Sequence, residues 1–176
     1  MFACIIRDII DIVQFLPLSI LVGFACFCMC YCVRKYRRTS DHHFFLLDVW
    51  YAFLGAYLVM LSQIVFFSRE AGSRVNLNLV IGGTWTADAQ GRAYVIENIL
   101  LFIPFGVLVS LCQRKIPLVV VVFVGFMLSL GIECLQLITG RGYFQVDDLI
   151  MNTIGCLLGA GVMKIIQIRN RCRRKQ

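Results

Sequence analysis

The chain has 176 residues, 60% of them hydrophobic, with a formal net charge of +7. Its mean hydropathy of +0.82 exceeds what a soluble domain of this length can bury, so a polytopic helical membrane protein is expected. The basic residues flank apolar runs and do not interleave with aromatics on a polar surface, which excludes nucleic-acid binding as their purpose.

In chain order, residues 4–14 mix Arg7, Asp8 and Asp11 with isoleucines, which fits an interfacial helix or an extension of the first span. Residues 15–33 are uncharged and long enough to cross a bilayer. The run has no small-residue cleavage site after it and does not read as a secretory signal. Pro17 sits near its start, where a missing N–H costs little. A second span covers residues 44–67, with Asp48 and Gln63 near its ends. Residues 69–96 are polar and glycine-containing and read as an extracytoplasmic loop, in which Asn76-Leu77-Asn78-Leu79 makes shallow contacts only. The third span runs from about residue 95 to 112 and holds Pro104, which frees a carbonyl one turn back. The fourth covers 116–137. A polar loop follows at 140–148, the fifth span covers 149–168, and a basic tail ends the chain. No linker or repeat divides the sequence, so one membrane domain over 1–176 is expected.

Basic residues orient the bundle. Twelve of them (Arg34, Lys35, Arg37, Arg38, Arg114, Lys115, Lys164, Arg169, Arg171, Arg173, Arg174 and Lys175) fall on one side of five alternating crossings, against five on the other. The richer side is cytoplasmic, which puts the C-terminus inside the cell and makes the protein a multi-pass plasma-membrane protein.

That topology gathers the unusual polar residues at the outer face. Glu97 and Asn98 open the third span, Glu133 and Gln136 close the fourth, Arg141, Asp147 and Asp148 lie in the outer loop, and Asn152 starts the fifth. Ionisable groups at bilayer depth are costly and are kept where they face a bundle interior or a wet cavity. Ser129, Glu133 and Gln136 share one helix face by their spacing of four and three. Asp148, Asn152, Gly155 and Gly159 form a second stripe whose glycines suit close helix packing, and spans four and five are expected to pack through these stripes.

The nine cysteines do not form a metal framework. Cys26, Cys28, Cys30 and Cys32 alternate along one helix, with successive members about 200° apart, and behave as small hydrophobes. His42 and His43 fall in the basic loop, away from the polar cluster. No cofactor is expected. A divalent cation between Asp147 or Asp148 and Glu97 or Glu133 is the one candidate, without a dedicated ligand spacing.

Four segments together resemble the VanZ-like family of small bacterial membrane proteins. They are Arg74 with Asn76-Leu77, then Glu97-Asn98-Ile99-Leu100-Leu101-Phe102-Ile103-Pro104-Phe105-Gly106, then Glu133-Cys134-Leu135-Gln136, and finally Arg141 leading to Asp147-Asp148-Leu149-Ile150-Met151-Asn152-Thr153-Ile154-Gly155. They cover about residues 70–160. The family often carries Pro after its Asn-Leu, where this chain has Asn78-Leu79. The resemblance implies resistance to a glycopeptide antibiotic, chiefly teicoplanin, as in the founding member; the fold does not by itself fix that activity.

The residues therefore point to an outer-face site that binds or modifies a lipid-linked cell-wall precursor or a lipoglycopeptide, with membrane lipid as the surrounding partner. Glu133 and Asp148 are the candidate catalytic groups, Glu133 as a general acid or base and Asp148 as its pair or a cation holder. Arg141 is suited to clamp a phosphate or carboxylate. Glu97, Asn98, Gln136, Asp147, Asn152, Arg74 and Asn76 complete the candidate binding set. The alternative is a non-enzymatic membrane component whose polar groups only hold helices together. A carrier fits less well, since there is no inverted repeat and no acid deep in the membrane. No Gly-x-Ser-x-Gly or phosphate-binding glycine loop marks an enzyme class.

Overall fold

A computed structural model describes residues 6, 10, 12–37, 42–67, 72, 77–86, 89–112 and 116–173. The protein is helical, and five of its helices are long and apolar enough to cross a membrane. They are α1 (Leu16–Tyr36, preceded by a 3-10 turn), α2 (His42–Ser62, continued by a π turn over Gln63–Phe67), α4 (Ala89–Cys112), α5 (Leu118–Thr139) and α6 (Val146–Arg173). A single helical turn, α3 (Gly83–Thr86), and two short strands, β1 (Leu77–Asn78) and β2 (Phe144–Gln145), complete it. Whether residues 4–14 lie along the interface falls largely outside the described residues. The chain divides into two compact units, residues 9–67 and the remainder.

The smaller unit is a helical hairpin of α1 and α2. Small residues bring its backbones together: a Cβ on Gly23 would stand 2.9 Å from the Ala52 carbonyl oxygen, and one on Gly55 would stand 2.9 Å from Cys26 Sγ. Polar contacts secure both ends of the hairpin. Gln63 donates to Ser19 Oγ at 3.2 Å, and Ser19 donates to the Phe15 carbonyl at 2.8 Å. At the other end Arg34 Nε lies 2.8 Å from Asp48 Oδ2, and its guanidinium sits over the rings of Tyr31 and Phe45. Charge pairing and ring contact compensate for removing both ions from water.

The larger unit is a three-helix bundle of α4, α5 and α6 under a small outer cap. Helix α4 starts at Ala89, several residues before the expected span near 95. Its first two turns contain Gly91, Ala93 and Val95, all buried, so packing continues the helix beyond the apolar run. Helix α6 likewise begins at Val146, drawing Asp147 and Asp148 out of the expected loop into its first turn, where acidic side chains complement the helix dipole. Helix α5 ends at Gly140, whose φ of +63° permits a left-handed cap. The amide of Arg141 then donates to the Gln136 carbonyl at 3.0 Å, satisfying a group the helix end would leave open.

The glycine stripe of α6 does not face the fourth span. Added methyl groups on Gly155 and Gly159 would collide with the backbone carbonyls of Ile99 and Ile103 on α4, and one on Gly106 would collide with the Cys156 carbonyl. Helices α4 and α6 thus run parallel with backbones in contact, a register that needs glycine on both sides. The adjoining face of α6 meets α5 instead: Cys156 Sγ lies 3.5 Å from the Val121 carbonyl oxygen and packs at Gly125.

The cap is the element the sequence did not forecast. Leu77 and Asn78 pair in parallel with Phe144 and Gln145, so the loop before α4 joins the segment after α5 in a two-stranded bridge. This replaces the shallow loop contacts expected there.

Candidate functional site

The polar residues of the larger unit sit where the register places them. With Ile99 against Gly155 and Ile103 against Gly159, Glu97 stands at the height of Thr153, and Arg92 at the height of Asp148. Helix α5 runs the other way, bringing Ser129 to Asn152 and Glu133 to Gln145.

Two polar networks result. In the outer one, Glu133 is only 2% exposed, and its Oε2 accepts the backbone N–H of Gln145 at 2.9 Å. Gln145 Oε1 accepts the Thr84 hydroxyl at 3.1 Å. Asp147 is equally buried; its two carboxylate oxygens accept the backbone N–H groups of Gly82 at 2.7 Å and Thr84 at 2.9 Å. Gly82 adopts φ +81°, a left-handed turn that suits glycine. One carboxylate on α5 and one on α6 thereby strap the segment before α4 across the outer end of the bundle. Charge-assisted bonds of this kind are about twice as strong as neutral ones.

The inner network lies about one helical turn deeper. Asn152 Nδ2 donates to Ser129 Oγ at 2.9 Å, with both residues buried. Asn152 Oδ1 is buried with no hydrogen-bond partner among the described residues. An acceptor left in that condition costs about 1–3 kcal/mol.

The remaining candidates are placed as follows. Gln136 is buried on the same α5 face as Ser129 and Glu133, the shared face expected from their spacing. Glu97 and Asn98 are half-buried on α4, Asp148 half-buried in the first turn of α6, and Arg141 half-buried just beyond the α5 cap. Arg74 and Asn76 lie outside the described residues. Among the described residues, no three His, Cys, Asp or Glu side chains gather to hold a metal ion.

The VanZ/LLP1 family matches residues 24–167, which is most of the chain. The protein belongs to that family. Protein VanZ of Enterococcus faecium is 32% identical over 113 residues, spanning 60% of this chain and 68% of that protein. No solved structure matches. With five membrane-crossing helices, this VanZ/LLP1 member is a multi-pass membrane protein. The family match begins within α1 and so includes most of the hairpin, whereas the motifs legible in the sequence begin near residue 70.

Sequence reasoning passed over Thr84, Gln145 and Gly82. Gln145 stands directly before the segment carrying Asp147, and Gly82-Gly83 marks a turn. Neither signal indicates that the two would meet, because the bridge joins residues more than sixty positions apart.

Proposed function

We propose that the outer end of the α4–α5–α6 unit recognises a lipid-linked envelope molecule or a lipophilic glycopeptide, and that this VanZ/LLP1 member protects against a teicoplanin-type antibiotic. The observation carrying the proposal is the buried polar pair beneath the cap: an amide and a hydroxyl, Asn152 and Ser129, one turn below the Glu133 carboxylate. Apolar packing alone gives no reason to keep such groups within membrane-spanning helices. In this reading Glu133 moves a proton, Asp148 supports it or holds a cation, and Arg141 takes a phosphate or carboxylate of the ligand. Asn98, Gln136 and Asn152 orient the ligand, and Glu97, Asp147, Arg74 and Asn76 complete the binding set.

A second reading, that of a non-enzymatic component, draws support from the same bonds. Glu133 and Asp147 both accept backbone N–H groups, which is what a purely architectural carboxylate does. Two variants separate the readings. Glu133→Gln keeps an oxygen for the Gln145 N–H but removes the charge and the exchangeable proton. Glu133→Ala removes both. If Glu133 does chemistry or binds charge, the Gln variant folds, accumulates normally and no longer protects a host from teicoplanin. Full protection by Glu133→Gln, in a host where the parent protein protects, refutes the role of this residue.

A further inference from the structure

At the opposite end of the larger unit lies a groove of about 410 Å³ between the start of α5 and the last turns of α6. It takes Ile116 and Leu118 from one side, and Lys164, Gln167, Ile168 and Arg171 from the other. The basic count puts this end on the cytoplasmic side of the membrane. We propose that the groove seats the headgroup of an anionic phospholipid from the inner leaflet, a role independent of the outer-end reading.

Five features support this assignment. The α6 residues concerned are spaced by three and four, so they share one stripe, and its two cations face the same space. Lys164 donates to the Ile116 carbonyl, which fixes the ammonium at the groove. Gln167 is fixed in the same manner, donating to the Ser110 carbonyl at 3.0 Å. Leu118 is the first residue of a 22-residue helix, so the positive end of that helix opens here as well. Ile116, Leu118 and Ile168 provide apolar surface beside the cations, which suits a headgroup entering with the start of its acyl chains.

The arrangement goes beyond the general bias toward basic residues at cytoplasmic ends. That bias needs charge but no particular helix face. Arg169 and Arg173 meet it from the far side of α6, about 140° and 180° round from Lys164. Among the described residues, Lys164 and Arg171 are the cations that line the groove.

The experiment compares thermal unfolding of the full chain in a neutral detergent, with added phosphatidylglycerol or phosphatidylcholine. The parent protein is expected to gain about 3 °C with phosphatidylglycerol at saturation and nothing comparable with phosphatidylcholine. Arg171→Gln, an exposed position whose change leaves the fold intact, should lose most of that gain, while Arg169→Gln should keep it. Equal losses in the two variants would mean diffuse surface charge and would overturn the proposal, as would an equal gain from phosphatidylcholine. A gain reproduced by millimolar glycerol phosphate alone would assign the groove to a soluble phosphate and overturn the lipid reading.

Discussion

Asp147 holds the outer cap in place, and its removal should open that cap before anything else. Its carboxylate accepts two backbone N–H groups, from Gly82 at 2.7 Å and Thr84 at 2.9 Å, in a buried setting. A hydrogen bond to a charged group contributes about 1.5–3 kcal/mol. Asp147→Asn retains one oxygen and turns an NH2 group toward the other donor, so one bond is lost and two donors are opposed. The expected local cost is about 2 kcal/mol, or about a 30-fold increase in the open population of the cap. Asp147→Ala removes both bonds and should cost about 3–5 kcal/mol. Hydrogen–deuterium exchange on peptides covering residues 77–86 measures this directly, since exchange in a locally opening segment scales with its open fraction. The α5 peptide around residues 121–129 should keep its protection and serves as the internal reference. If exchange of the 77–86 segment in Asp147→Ala stays within about threefold of the parent, the strap is not what holds the cap and the reasoning fails.

The helix contacts give further expectations. Gly159→Ala drives a methyl against the Ile103 carbonyl and should destabilise the protein by about 1–3 kcal/mol in detergent melting. Gly131→Ala and Gly161→Ala have nothing within 4 Å of the added atom and should be neutral or stabilising by up to about 1 kcal/mol. In the hairpin, Arg34→Met leaves the Asp48 carboxylate buried without its cation and should cost about 3 kcal/mol; adding Asp48→Leu should recover most of it in the same melting assay.

The five spans were legible because lipid imposes a simple demand, a long apolar run for each crossing. The face shared by Ser129, Glu133 and Gln136 was legible too, because a helix turns residues three and four apart to the same side. The partner of Gly155 and Gly159 was not. A small-residue stripe announces close approach without saying which helix approaches, and here that helix is α4 and not its neighbour in sequence. Two helix starts, those of α4 and α6, were misjudged in the same direction. Ala89 and Val146 both lie on the loop side of the expected boundaries, because hydropathy marks where lipid begins and helices here continue beyond it into the cap. The β1–β2 bridge left no trace in any local pattern. Two residues on each side are too few for alternation to register, and their pairing depends on the bundle having formed.

That dependence bears on how the protein is made. Gly82 leaves the ribosome 65 positions ahead of Asp147, the residue that anchors it, with two crossings still to be threaded. Throughout that interval the future lid is an unsecured strand on the far side of the membrane. Nascent chains halted before residue 144 therefore carry a protease-sensitive 77–86 segment, and completing the last helix is the event that shuts it.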